Sequence, residues 1–242
     1  MRGIQGHDEK ISHTQAGGKQ VGSSLHWRCA GALLLGAAAF YSQPLKANGF
    51  EDFDDAELID HIAGSVARGY GRMYGYGVDF KLIGKETPHQ SPLLVQYNAP
   101  LKRCTFFIST RDKTWHSFEQ YLEFFEGLPK QVVYEAFFAH ESGHCVQMNE
   151  QIDFGPVRRR HREELYADVF ALSHVERYYP KHRKAFQEAQ LKMRRAALGI
   201  QNEYDFYKEL LKLHYSPGLQ SALKVKNPQE RAYSIAKAVD LL

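Results

Sequence analysis

Two histidines and a glutamate occur together in the sequence His-Glu-Ser-Gly-His at positions 140–144. The surrounding stretch, 131–149, is predicted to be helical, and residues four apart on a helix share a face. The imidazoles of His140 and His144 can therefore bind one metal ion. Glu141 lies one step around the helix, where its carboxylate can accept a proton from a water molecule beside that ion. This pattern predicts metal-assisted hydrolysis.

A pair of acidic residues, Glu164 and Asp168, follows the first motif, and Glu164 lies twenty residues after His144. These two are also four apart, so they share a face if the segment is helical. A catalytic zinc ion usually has three protein ligands and one position for water, which makes Glu164 the predicted third ligand. Asp168 is then predicted to accept the outer N–H of a ligating histidine. Glu163 is the alternative ligand, but its five-residue separation from Asp168 fits helical geometry less well.

Together, the two motifs resemble those of the gluzincins, the thermolysin-like zinc peptidases, in which H-E-x-x-H is followed by E-x-x-x-D. The resemblance covers residues 132–174, and the continuation at 167–172 is similar to minimal single-domain gluzincins and to the heat-shock zinc-peptidase branch. It implies that His140, His144 and Glu164 bind zinc and that Glu141 activates the zinc-bound water. Asp168 is implied as the carboxylate behind the ligands.

The same resemblance implies an α+β fold with a zincin-like metallopeptidase core. In that core a small sheet packs on the active-site helix and on a second helix that carries the ligand glutamate, and the C-terminal part is mostly helical. One edge strand of a gluzincin sheet pairs with extended substrate, although the sequence does not say which strand is the edge. A peptide or protein is the implied substrate.

Hydrolysis also needs a hydrogen-bond donor for the oxyanion that develops on the attacked carbonyl. In the family this donor is a His, Tyr or Arg that follows the glutamate helix. The segment Asn-Pro-Gln-Glu-Arg at 227–231 is similar to a segment of the heat-shock branch and nominates Arg231, although Asn227 stands where that branch has histidine. His214, with its neighbour Tyr215, is the second candidate.

Hydrophobic periodicity and turn residues predict the elements that position these side chains. We expect a helix over 56–74, strands over 78–82, 93–97 and 103–109, an aromatic-rich helix over 115–125, a connecting loop over 151–162, and C-terminal helices with breaks at 216–218 and 227–228. The active-site helix should bury Val132, Ala136, Ala139, Gly143 and Val146. The basic run at 158–162 is typical of a solvated stretch, with a rim that attracts acidic substrate groups as the alternative.

An apolar run of small residues at 30–41 follows Arg28 and is too short for a membrane span, but is typical of the core of a signal peptide. The sequence therefore predicts a leader over 1–47, one peptidase domain over 48–242, and export to the periplasm or the medium. An uncleaved signal anchor and a cytoplasmic location are the alternatives, because the segment before the apolar run is unusually long and polar. No stable membrane span is expected.

The 242 residues include 43% hydrophobic and 24% charged residues, as in an ordinary globular protein. Basic and acidic residues are balanced over 48–242, so neither nucleic acid nor an anionic surface is an expected partner. The oligomeric state stays open. Cys104 and Cys145 can form a disulfide in an exported protein, but two buried free thiols are slightly favoured. Neither cysteine has the spacing of a zinc ligand.

The main prediction is an exported, single-domain zinc metallopeptidase that hydrolyses peptide bonds through a zinc-bound water activated by Glu141. One alternative is a zinc-binding sensor or regulatory protein without general proteolytic activity. Its ligand set would not need Glu141, which argues against it. A cytosolic regulatory peptidase with one partner substrate is a second alternative, and a helical domain with fortuitous motifs is a third.

Overall fold

The computed structural model describes residues 62–83, 93–109, 122–156, 159–196 and 203–241. In these residues the chain has an α+β fold that is mostly helical, with seven α-helices and one three-stranded sheet. The predicted leader and signal sequence at 1–47, the start of the predicted helix at 56–61 and the predicted helix residues 115–121 lie outside the described residues. Among the helices that are described, none combines the length and the hydropathy that crossing a membrane requires.

The elements follow one another in this order. A π-helical turn (Ala63–Ala67) continues into α1 (Arg68–Tyr74) and is followed by the strands β1 (Gly77–Ile83), β2 (Leu93–Asn98) and β3 (Arg103–Ser109). A 3-10 turn (Glu123–Phe125) precedes the two longest helices, α2 (Lys130–Asn149) and α3 (Arg159–Tyr178). The C-terminal part consists of a second 3-10 turn (Pro180–His182) and of α4 (Arg183–Ala196), α5 (Glu203–His214), α6 (Pro217–Leu223) and α7 (Pro228–Asp240).

The three predicted strands are confirmed, and they form one sheet in the order β1-β3-β2. The central strand β3 is parallel to β1 and antiparallel to β2, so that Leu93 of β2 lies opposite Ile108. The turn between β2 and β3 closes with a hydrogen bond from the Lys102 N–H to the Ala99 carbonyl at 3.1 Å. Strand β2 packs against α2, whereas β1 packs against α1. The sheet therefore covers one side of the helix that carries His140.

The predicted core face of α2 is confirmed, since Val132, Ala136, Ala139, Gly143 and Val146 are all buried. Within this face Gly143 sets the distance to α3. A Cβ atom at this position would lie 3.0 Å from Cβ of Phe170 and 3.2 Å from Cα of Ala167. Both distances are tighter than ordinary packing contacts, so α3 can approach α2 this closely only because residue 143 has no side chain. Gly143 thus helps to bring Glu164 and Asp168 close to His140 and His144.

The basic run lies in a helix rather than wholly in the predicted loop, because α3 begins at Arg159. Arg159 bonds Asp153 at 2.6 Å, Arg162 bonds Asp240, and His161 lies 2.7 Å from Glu209. These contacts join the start of α3 to the preceding loop, to α7 and to α5. The three side chains therefore have carboxylate partners within the protein.

Both predicted breaks in the C-terminal helices are confirmed as helix starts. The Ser216 side chain accepts a hydrogen bond from the Leu219 N–H at 3.1 Å, and the Asn227 side chain accepts one from the Glu230 N–H at 3.0 Å. A proline follows each of these residues and occupies the first helical position, where its missing N–H costs nothing. Each break is therefore the capped start of a new helix.

The expectation of two free buried thiols is wrong, because Cys104 and Cys145 form a disulfide. Cys104 lies in the central strand and Cys145 in α2, and their Cα atoms are 5.9 Å apart, a distance that suits a disulfide. The sequence could not reveal this proximity, since it arises from the packing of the sheet on α2. The bond fixes the sheet to the helix at the residue that follows His144.

Reduction of this disulfide is expected to destabilise the protein by roughly 4 kcal/mol, the chain-entropy value for a closed loop of this length. The bridged cysteines are 41 residues apart in the sequence. The check is a urea unfolding curve of the full chain with and without reductant. The double variant Cys104→Ala, Cys145→Ala serves as the control and should not respond to reductant. Thiol titration of the denatured chain should detect Cys29 alone, and three reactive thiols would contradict the disulfide.

Candidate metal centre

Three side chains with metal-binding atoms converge between α2 and α3. The ligand atoms of His140, His144 and Glu164 all lie within 4.8 Å of one another. Glu164 Oε2 lies 3.6 Å from His140 Nε2, and its Oε1 lies 3.7 Å from His144 Nε2. The two rings stand nearly perpendicular, with centroids 5.1 Å apart. This buried group can bind a metal ion.

The contacts fit a shared ion better than a set of direct hydrogen bonds. Both distances between Glu164 and the imidazole nitrogens are too long for a good hydrogen bond, and His140 Nε2 is buried without a hydrogen-bond partner among the described residues. A buried polar atom without a partner is costly unless another group satisfies it. Glu163 points elsewhere and accepts a hydrogen bond from Gln147 at 3.2 Å. Glu164 is therefore the member of the acidic pair that faces the histidines.

Asp168 lies behind the ligands and fixes the orientation of one of them. Its Oδ1 is 3.1 Å from His140 Nδ1, so the ring donates its Nδ1 proton to the carboxylate and directs Nε2 towards Glu164 and His144. The ring orientation that a metal ion requires is thus set before binding. This is the contact with a histidine N–H that the sequence predicts for Asp168.

Arg194, from α4, holds Asp168 in turn. Its Nε and Nη2 atoms donate to the two carboxylate oxygens of Asp168, both at 2.8 Å, and Nη2 lies 3.9 Å from Glu164. The Gln190 side chain, one turn earlier in α4, donates to the Asp168 carbonyl at 3.0 Å. A guanidinium matches a carboxylate in this bidentate geometry, and both partners are almost fully buried. Helix α4 therefore supports the centre through Asp168.

The electrostatics of the centre favour a positive charge between the carboxylates. Burial lowers the pKa of His140, but hydrogen bonding to Asp168 and the nearby Glu164 and Glu141 outweigh it and raise this pKa to about 10. Burial lowers the pKa of His144 to about 4, so this ring is neutral, which is its metal-binding form. Although burial raises the pKa of Glu164, the two histidines hold it well below its ordinary value. The group thus favours a positive charge, which a proton on His140 or a bound cation can supply.

Glu141 is buried, with 6% of its surface exposed. Burial raises the pKa of its carboxyl group to about 8, against the opposing effect of His140 and with a further increase from Glu164. A carboxyl group with this pKa can both accept and release a proton near neutral pH. Glu141 follows His140 in α2 and therefore adjoins the group that can bind a metal ion.

The described contacts do not bring the predicted oxyanion donors to the ligand group. The Arg231 guanidinium donates to the carbonyls of Val225 at 2.7 Å and Lys226 at 3.2 Å, which holds the loop before α7. His214 is fully buried, and burial lowers its pKa to about 4, with Asp168 acting in the opposite direction. Tyr215 is 68% exposed. Their roles as donors stay predictions.

The sequence analysis missed Arg194 at the centre and a separate group of three hydrogen-bonded polar residues. Arg194 gave no signal because arginine on an amphipathic helix usually faces solvent, and only the packing of α4 on α3 places it at Asp168. Glu135, His174 and Tyr70 form a hydrogen-bonded chain between α1, α2 and α3. Their positions in the sequence are far apart and follow no motif, so periodicity alone could not group them.

The centre is thus built on two long helices that present two histidines and one glutamate, with a buried glutamate beside them and an aspartate–arginine pair behind them. Two nitrogen donors and one carboxylate are a ligand set that several divalent ions accept. Comparisons of the chain with models of protein families, with curated proteins and with solved structures found no match.

Proposed function

We propose that this protein is a zinc-dependent metallopeptidase of the gluzincin type, with a zincin-like core. One observation carries the proposal: His140, His144 and Glu164 converge within 4.8 Å, while Glu141 is buried beside His140 in the same helix. Two histidines and one glutamate are the ligands of known catalytic zinc sites in peptidases. The carboxylate of Glu141 has no place in this ligand set and is available for chemistry.

In the proposed reaction each residue has a distinct task. When bound, zinc lowers the pKa of a coordinated water molecule and polarises the peptide carbonyl. Glu141 accepts the proton of the attacking water and passes it to the leaving amine. Asp168 holds the His140 ring in the orientation that its ligand role needs, and Arg194 holds Asp168. The residue that stabilises the oxyanion is Arg231, His214 or Tyr215 in this proposal, each of which would have to reach the substrate once it is bound.

An extended peptide is the proposed substrate. Among the described residues β2 lies at one edge of the sheet, and it is the strand that packs on α2. A substrate strand that extends the sheet along β2 would run beside the helix that carries the ligands. The disulfide between Cys104 and Cys145 supports the further proposal that the protein is exported, since disulfides persist in oxidising compartments.

The test is to measure metal content and peptide cleavage together on the full-length chain. We expect about one zinc ion per chain in the wild type and a clear loss of zinc in His144→Ala, because two ligands bind zinc far more weakly than three. The matched control is His182→Ala, a histidine in the 3-10 turn before α4, which should keep its zinc. A peptide-library digest should show cleavage that a chelator abolishes and added zinc restores.

Two results would contradict the proposal. Purified protein that takes up no zinc would exclude the ligand assignment. Full zinc occupancy with no cleavage of any library peptide or of an unfolded protein would exclude a general peptidase and favour the sensor or the single-substrate regulatory peptidase.

A further inference from the structure

We propose that a second pocket, separate from the metal centre, binds an organic ammonium group such as a trimethylammonium. This cavity has a volume of about 380 Å³ and lies between α1, α2 and α3. Its walls include Tyr70, Tyr178, Tyr179, His174 and Glu135. A cavity of this size falls within the range of small-molecule sites. The proposal does not depend on the peptidase assignment.

The pocket and the metal centre lie on different sides of α2. Glu135 and His144 are nine residues apart, which is about two and a half helical turns, so their side chains leave the helix in opposite directions. No metal ligand lines the pocket. A molecule bound there would therefore not compete with a metal ion for these side chains.

A chain of hydrogen bonds fixes the polar wall of the pocket. His174 Nε2 lies 3.0 Å from Glu135 Oε2, and Tyr70 Oη lies 3.0 Å from His174 Nδ1. A carboxylate can only accept, so Nε2 carries a proton and donates to Glu135, while Nδ1 and the Tyr70 hydroxyl form the second hydrogen bond. Burial raises the pKa of Tyr70 well above its ordinary value, which keeps that hydroxyl protonated. Both nitrogens of His174 are thereby used.

Glu135 gives the pocket a negative charge. Its Oε1 also accepts a hydrogen bond from the Gln131 amide at 2.8 Å. Although burial raises the pKa of Glu135, hydrogen bonds from His174, Gln131 and Tyr179 and the charge of His174 bring it below its ordinary value, so the carboxylate is ionised. These donors satisfy the carboxylate oxygens and hold Glu135 in the wall of the cavity. Among the described residues no lysine or arginine lines the pocket.

Aromatic rings form much of the remaining wall. The face of a tyrosine ring is electron-rich and attracts cations, most strongly where water is excluded. Tyr178 already makes one such contact with Arg177, which does not line the pocket. The Arg177 guanidinium carbon lies 5.5 Å from the Tyr178 ring centroid. Tyr70 is buried whereas Tyr178 is 48% exposed, so the pocket has a buried floor and a rim that solvent can reach.

A diffuse organic cation fits this combination better than a metal ion. Ring faces offer no lone pairs to a metal, and the lone pairs of Glu135 and His174 are already engaged by the hydrogen bonds. A methylated ammonium needs neither directed ligands nor free lone pairs, because its charge is spread over its methyl groups. The rings, together with the Glu135 carboxylate, supply what such a group requires.

The experiment compares choline with 3,3-dimethyl-1-butanol, its neutral isostere, by calorimetric titration of the full-length protein in the presence of EDTA. We expect choline to bind and the neutral alcohol to bind at least roughly tenfold more weakly, because only the charge differs. Tyr178→Leu should weaken choline binding by roughly three- to thirtyfold, whereas Tyr178→Phe, which keeps the ring, should retain it. Glu135→Gln should also weaken binding, because it removes the negative charge.

The control is Tyr233→Leu, a tyrosine that is 51% exposed and lies outside the pocket. It should bind choline as the wild type does. Equal binding of choline and the neutral alcohol would overturn the proposal, as would an unchanged affinity in Tyr178→Leu. The rim position of Tyr178 keeps the test valid even if Glu135→Gln fails to fold.

Discussion

Replacement of Glu141 by glutamine is expected to lower peptide hydrolysis by roughly 10²- to 10⁴-fold, the usual contribution of a general base. Glutamine has nearly the same shape as glutamate but cannot accept the proton of the attacking water. The three ligand side chains remain, so the zinc content should stay at the wild-type level. The measurements are kcat/KM on a peptide identified in the library digest and elemental analysis of the same sample.

Glu163→Gln is the matched control for this variant. Glu163 is also partly buried and adjoins a ligand in sequence, but it bonds Gln147 instead of facing the histidines. This control should keep both its zinc and its activity. Wild-type turnover by Glu141→Gln would exclude Glu141 as the base. Loss of zinc from Glu141→Gln would instead show that the carboxylate holds the centre together.

Replacement of Arg194 by methionine is expected to destabilise the protein by roughly 3–5 kcal/mol, the cost of removing one partner of a buried ion pair. Asp168 is 2% exposed, and the lost guanidinium supplies two of its hydrogen bonds, both at 2.8 Å. The nearby charge holds the pKa of Asp168 well below its ordinary value. Without the guanidinium, the buried carboxylate of Asp168 keeps only His140 as a side-chain partner among the described residues. Urea unfolding of the metal-free protein measures the effect.

The neighbouring arginine gives a closely matched control. Arg195→Met changes the same residue type in the same helix, but Arg195 is exposed, so its substitution should change stability by less than about 0.5 kcal/mol. Arg194→Lys should be intermediate, since an ammonium keeps the charge but not the bidentate geometry. Equal unfolding midpoints for Arg194→Met and Arg195→Met would show that the pair with Asp168 contributes little.

Glu141→Gln and Arg194→Met should affect different properties of the protein. Glu141 touches the reacting groups in the proposed mechanism, so its loss should affect turnover without affecting the fold. Arg194 acts through Asp168 on His140, and its guanidinium also lies 3.9 Å from Glu164. Its loss should therefore appear first in stability and in metal affinity.

The candidate metal-binding group could be predicted from the sequence because helical periodicity is local. A spacing of four residues places His140 above His144, and the same spacing relates Glu164 to Asp168, whatever the rest of the fold does. The limits of α2 and of the strands were predicted for the same reason, since short-range patterns of apolar residues and turn residues determine them. The sequence also favoured Glu164 over Glu163, and the contacts agree with that choice.

Only the tertiary structure decided which distant groups meet. The close approach of α3 at Gly143 brings Glu164 to the histidines, and the packing of α4 brings Arg194 to Asp168. The disulfide joins segments that share no periodicity, which is why the sequence favoured free thiols. The second pocket, lined by Tyr70, Glu135 and His174, likewise joins segments that are distant in the sequence. Periodicity fixes the direction in which a side chain leaves its own helix or strand. Which partner it finds there depends on how complete elements pack, and that depends on the whole core at once.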